Sequence, residues 1–131
     1  MKHISFEPRF VHKAGNDLMP GKIHTIRQNY DYWKRFEGKE VALFTWEGKP
    51  YQPGSTHKVF CVKRIVSVQE VIFIRKPDYL RSRFYYKPGI ATNVYTMARN
   101  DGFEQADEFL YWFASYKPGK MAILHFTDFR Y

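Results

Sequence analysis

Lys22, Thr25 and Arg27 stand within the eight residues Pro-Gly-Lys-Ile-His-Thr-Ile-Arg, positions 20–27, and together they hold the parts of an acyl-transfer site. A threonine hydroxyl is almost wholly protonated at neutral pH, so as a nucleophile it needs a neighbouring base. Lys22 can serve if the like charge of Arg27 and partial burial disfavour its ammonium form. Arg27 does not deprotonate and suits an oxyanion or a substrate carbonyl. A carboxylate within reach would orient the lysine or hand a proton to a leaving amine, although beside Lys22 it would also hold the lysine's proton in place. The alternative for the stretch is a surface β-turn whose lysine and arginine face solvent.

Positioning these groups falls to a loop that becomes a strand. Pro20 and Gly21 force a turn, and the β-branched Ile23, Thr25 and Ile26 favour extended backbone. Thr25 and Arg27 then share one face, whereas Lys22 points to the other unless the backbone bends, which Gly21 permits. On a regular strand His24 also faces away from Thr25 and reads as a packed or surface residue.

The 131 residues suffice for one domain, 1–131, with a real core. Aromatic residues make up 19% of the chain, enough to fill that core and leave rings for a binding surface. Cys61 is the only cysteine, so no intrachain disulfide is possible and a reducing, cytoplasmic setting is expected. No apolar run approaches a membrane span. The five histidines are scattered, with no H-E-x-x-H and no Cys/His pairing, so neither a metal nor another cofactor is expected. The sequence sets no oligomeric state.

The periodicity predicts strands at 2–6, 22–27, 40–46 and 121–126. A weak helix is expected at 10–17, an aromatic loop at 28–39, and a turn-rich connection at 49–55. Residues 58–75 carry the longest β signal, with a turn expected at Gln69 and Glu70. Residues 81–88 read as a loop or irregular edge, 93–100 as a helix stopped at Gly102, and Phe103, Ala106, Leu110 and Phe113 as a second helix. Strands first, helices late and a closing strand suit an α+β fold, a partly closed mixed β-barrel with two or three short helices.

The net charge of +8 points to a polyanionic partner, nucleic acid first. Between Lys58 and Lys87, eight Lys and Arg face only Glu70 and Asp78. At its end Arg81, Arg83 and Lys87 flank Tyr85 and Tyr86, cations for phosphates beside rings for stacking, as single-stranded RNA binding uses; the alternative is that these rings pack the mouth of the fold. Tyr30, Tyr32 and Trp33 follow Arg27 closely enough to stack on a base at the site, or to be core. Asp101, Glu104 and Asp107 are the candidate carboxylates near the C-terminus, and Asp101-Gly102 also reads as an ordinary helix-end turn. The acidic run from 101 to 115 would repel an RNA backbone.

Phe6-x-Pro8-x-Phe10, Gly21-Lys22, Thr25-Ile26-Arg27, Trp33-Lys34 and the strand at 41–46 resemble the opening half of the ASCH domain family, whose fold is PUA-like. The family signature, G-x-K-x-x-E-x-R, set on Arg27 puts Lys22 at its Lys, Thr25 at its Glu and Pro20 at its first Gly, with Gly21 one residue later. Threonine in that place resembles the K-x-x-T-x-R form of a bacterial branch that includes small N4-acetylcytidine amidohydrolases. Ala-Arg-Asn-Asp-Gly-Phe, 98–103, is similar to a second family segment and puts the acidic position on Asp101, one methylene shorter than the Glu of that branch. The resemblance implies a PUA-like fold and hydrolysis of an amide on a modified pyrimidine nucleoside, with Lys22, Thr25 and Asp101 catalytic. Arg27, Tyr30 and Trp33 would bind substrate. Two other functions fit the same residues: a non-catalytic RNA-binding module, and a metal-independent ribonuclease whose Lys22 and Arg27 stabilise a phosphorane.

Overall fold

Runs of β-branched and aromatic residues form eight strands in two sheets, and three short helices connect them. The computed structural model describes residues 1–131. β1 (His3–Ser5), β3 (Glu40–Glu47) and β4 (Thr56–Arg64) make the smaller sheet in the order β1-β3-β4. β2 (His24–Gln28), β5 (Ser67–Ile74), β6 (Arg83–Lys87), β7 (Ile90–Ala91) and β8 (Gly119–His125) make the larger in the order β2-β8-β5-β6-β7. Only β1 and β3 run parallel. The helices are α1 (Tyr30–Lys34), α2 (Val94–Asn100) and α3 (Ala106–Trp112). The expected α+β class is thus present, although the sheets do not close into a barrel. No helix is long and apolar enough to cross a membrane.

Alternation along β5 drives the core. Gln69, Val71 and Phe73 are buried while Glu70, Ile72 and Ile74 stay on the outer face. Phe73 stacks on Phe84 of β6 at 4.7 Å, and Phe109 and Phe113 close over them from α3 and its C-terminal turn. Burying four such rings supplies several kcal/mol each of apolar transfer, about 2–3 per ring.

Four local expectations are corrected. Residues 10–17 form no helix: after a 3-10 turn at Pro8–Phe10 the chain makes a small hairpin, with His12 N–H donating to Asp17 C=O and Val11 bridging Leu18. Gly15, at φ +78°, turns it where a helix would have broken. Residues 28–39 contain α1, because Asn29 adopts φ 68° and its side chain accepts from Tyr32 N–H as an N-cap. The long β signal breaks at Ile65 and Val66 rather than at Gln69 and Glu70. There Ile65 N–H donates to Lys39 C=O and Val66 N–H to His125 C=O, so the chain passes from one sheet to the other. Residues 83–87 are a strand, Arg83 to Tyr85 in register with β5, with a shift in its pairing to β7 between Tyr85 and Lys87.

His125, at the end of β8, has no exposed surface. Its ring lies 2.9 Å (Nε2) from Gln69 Oε1, while Nδ1 has no partner. Burial first, then His24 and Arg130, push its pKa down to about 3. The unfolded chain takes this proton near the ordinary pKa of 6.5, so between the two values the unfolded state binds more protons. Stability from this group is complete above pH 6.5 and is lost as pH falls towards 3. We expect about 2–3 kcal/mol less stability at pH 4.5 than at pH 7 from this residue. Denaturant titrations at both pH values should show His125→Gln losing correspondingly less than wild type; equal losses in the two proteins would refute the assignment.

Candidate active site

The turn at Gly21 is what brings Lys22 into the site. Gly21 takes φ +89°, Lys22 N–H donates to Met19 C=O, and Ile23 N–H donates to Asn100 C=O at the end of α2. Regular β2 begins only at His24. Lys22 therefore escapes the strand alternation and lines the same cleft as Thr25 and Arg27.

The second wall is the C-terminus of α2. Gly102 N–H donates to Arg99 C=O and Phe103 N–H to Ala98 C=O, a Schellman closure that needs the left-handed φ of +94° found at Gly102. Asp101 is held at the C-cap of α2, buried, and Lys22 Nζ donates both to its carbonyl (2.7 Å) and to its carboxylate Oδ1 (3.1 Å). The ammonium thus satisfies an orphaned helix carbonyl as well as a buried charge. Its stem lies against Gly102, and Nζ sits 4.6 Å from the centre of the Phe10 ring. Burial pulls the Lys22 pKa below the ordinary lysine value; Asp101 opposes this, while Arg27 and Arg9 add to it.

Thr25 Oγ1 accepts from Arg27 Nε at 3.2 Å, and Arg27 Nη2 donates to Ser5 C=O at 2.6 Å. The guanidinium lies 5.1 Å from the Phe6 ring centre. Anchored through two nitrogens, Arg27 keeps Nη1 without a protein partner. The threonine proton is free to go to another acceptor, because the bond from Arg27 uses only the oxygen lone pair. Burial lowers the Arg27 pKa, yet an arginine remains charged.

These four side chains open on a cleft of about 300 Å³. Rings form much of its remaining wall, among them Phe6, Phe10, Trp46, Tyr51, Trp112 and Tyr116, and Glu7 adds a second carboxylate. Tyr51, on the β3–β4 connection, is 83% exposed at φ 60° and leans on Trp46 at 5.0 Å.

Lys22, Thr25, Arg27 and Asp101 are therefore brought together, whereas Tyr30 and Trp33 are not. The left-handed turn at Asn29 carries α1 over β8 and β5, so that Tyr30 meets Lys120 and Trp33 packs with Phe36 beneath Lys2. The cleft's rings come instead from the N-terminal segment (Phe6, Phe10), from the β3–β4 hairpin (Trp46, Tyr51) and from the end of α3 and the turn after it (Trp112, Tyr116). Glu104 and Asp107 are exposed and lie outside the cleft. Arg81, Arg83, Tyr85, Tyr86 and Lys87 are grouped elsewhere, on β6 and the 3-10 turn before it. There Tyr85, Tyr86 and Lys87 line a groove of about 460 Å³ with Ile72 and Ile74. Arg83 spends Nη1 on the carbonyls of Leu80 and Ser82 and so holds its own loop. No three His, Cys, Asp or Glu side chains gather closely enough to hold a metal ion. One contact had no sequence signal: His24 is wholly buried with Nδ1 3.2 Å from Asp101 Oδ1. No protein-family model, curated protein or solved structure matches the chain.

A Cβ at position 102 would lie 3.0 Å from Phe10 Cδ1, 3.1 Å from Lys22 Cδ and 3.3 Å from Met19 Sδ. Gly102→Ala should therefore cost about 1–3 kcal/mol, from the left-handed backbone plus crowding. Gly89, at φ +73° with nothing within 4 Å of its Cβ direction, provides the control for backbone cost alone. Urea midpoints should fall further for Gly102→Ala than for Gly89→Ala; equal shifts would mean that the lysine stem is not held by this approach.

Proposed function

We propose that the chain is an amidohydrolase acting on an acylated pyrimidine nucleoside such as N4-acetylcytidine, and that its two-sheet fold is an ASCH-like, PUA-like domain. The observation that carries this is the convergence of Lys22, Thr25, Arg27 and Asp101, 79 residues apart in sequence at the widest, on one cleft walled by aromatic rings. Rings on several sides suit a planar base, and a cleft of this size suits a nucleoside better than a folded polymer. A reducing, cytoplasmic setting fits the single cysteine.

In this mechanism Thr25 Oγ attacks the acetyl carbonyl carbon as Lys22, neutral and swung from the Asp101 carbonyl, takes its proton. Arg27 Nη1 receives the negative charge that develops on the carbonyl oxygen. The C–N bond breaks as the Lys22 ammonium returns the proton to the departing exocyclic amine, leaving cytidine and an acetyl ester on Thr25. Water then attacks that ester, giving its proton to Lys22, and acetate leaves as the threonine oxygen is reprotonated. Asp101 holds Lys22 between proton transfers.

Release of cytidine from N4-acetylcytidine by wild type, followed chromatographically, tests the reading directly. Lys22→Ala and Thr25→Ala should each lose about 10²-fold or more of turnover. Absence of turnover in the folded wild type would overturn it.

A second reading, RNA binding, is favoured by the outer face of the larger sheet. Tyr85 lies in register with Ile72 there, Lys87 approaches the Tyr86 ring at 5.9 Å, and Arg81 is exposed without a partner. Arg81→Ala with Lys87→Ala should weaken binding of single-stranded RNA and reduce the slope of log affinity against log salt by about 1 or more. Turnover of a free nucleoside should be unchanged. An unaltered salt slope would remove this face from RNA binding.

A further inference from the structure

Behind Asp101, on the side away from the cleft, a chain of hydrogen bonds runs through groups that the hydrolytic scheme does not use. Asn100 Nδ2 donates to Tyr131 Oη at 3.2 Å, Tyr131 Oη lies 2.6 Å from His24 Nε2, and His24 Nδ1 lies 3.2 Å from Asp101 Oδ1. The Asp101 carboxylate can only accept, so neutral His24 carries its proton on Nδ1 and donates to it. Nε2 is then the acceptor, and Tyr131 donates its phenol proton there while its oxygen accepts from Asn100. Tyr131 is itself clamped by Gln69, which donates to its carbonyl at 2.8 Å and accepts from its N–H at 3.1 Å.

We propose that His24 is a positioning residue whose Nδ1–H shares Asp101 Oδ1 with Lys22, so that the carboxylate stays satisfied when Lys22 gives up its proton. Without that second donor, a buried carboxylate would depend on the ammonium alone and would hold it charged. With it, the lysine can alternate between protonated and neutral forms. The groups around Lys22 are consistent with this poise. Asp101, at the end of α2, favours the ammonium; Arg27 on β2 and Arg9 on the preceding 3-10 turn oppose it; and Phe6 and Phe10 offer only ring faces. His24 itself faces Asp101, Tyr131 and the ring of His125, 5.6 Å away.

The inference rests on Lys22 as the proton-exchanging group of the proposed function, but its test does not need turnover. In wild type, nitrogen-15 spectra of the histidine rings should show His24 protonated on Nδ1 and unprotonated on Nε2; protonation on Nε2 overturns the proposal. Lys22 is then titrated by its Cε resonance in wild type, His24→Leu and His24→Asn. Asparagine places an amide N–H where Nδ1 stood, whereas leucine offers no donor. In His24→Leu the lysine should titrate about one unit higher, and in His24→Asn close to wild type. If N4-acetylcytidine is turned over, the acidic limb of kcat/KM should move with the lysine in each variant. A Lys22 titration unchanged in His24→Leu overturns the proposal whether or not any nucleoside is hydrolysed, and should His24→Leu fail to fold, the wild-type tautomer decides alone.

Discussion

A lysine and an aspartate, both almost wholly removed from water, meet at the end of a two-turn helix, and the surrounding structure is shaped by the need to keep that meeting satisfied. Taking two charges out of water costs several kcal/mol per ion, and Coulomb attraction alone does not reliably return it. Here the cost is offset by number and direction of bonds. The ammonium donates to a helix carbonyl and to the carboxylate, and the carboxylate receives a second donor from His24. Two glycines with positive φ make the approach possible, Gly21 by turning the chain before β2 and Gly102 by leaving room for the lysine stem. Such an arrangement does little for stability relative to a hydrophobic plug. It does give a polar group of defined direction at the floor of a cleft.

Much of this was legible in the residues. Pro20-Gly21 before a β-branched run announced a loop turning into a strand, and Asp101-Gly102 after a short amphipathic stretch announced a helix stop. Strands 3, 4 and 8 were visible from alternation or apolar runs, whereas β5 was legible only in its second half because a turn was expected at Gln69 and Glu70. The key long-range fact, that position 22 meets position 101, came only through the ASCH resemblance, because no local pattern encodes a contact across 79 residues.

The misses have distinct physical origins. Tyr30 and Trp33 follow Arg27 closely, but one non-glycine residue in the left-handed region, Asn29, redirects the chain, and propensity gave no warning of it. His24 was read from strand alternation as facing away from Thr25; alternation ignores that the end of α2 packs beside β2, where a residue on the far face can still reach Asp101. The Ile65 and Val66 break carries no turn residue at all. Its cause is tertiary: Ile65 N–H bonds to Lys39 beside the smaller sheet and Val66 N–H to His125 of the larger one, with Ile65 buried at the corner and Val66 exposed.

β8 is an interior strand of the larger sheet, hydrogen-bonded to β2 on one side and to β5 on the other, although it follows every other strand in the chain. Until it is in place, β2 has no sheet to join and β5 has one free edge facing the interior. Such an order makes most of the larger sheet's pairing non-local, which slows folding and leaves apolar strand edges exposed for longer during synthesis. The same order means that the cleft is assembled only on completion of the fold: β2, which carries Thr25 and Arg27, is pinned by the final strand, so a partly made chain would hold the reactive residues without bringing them together.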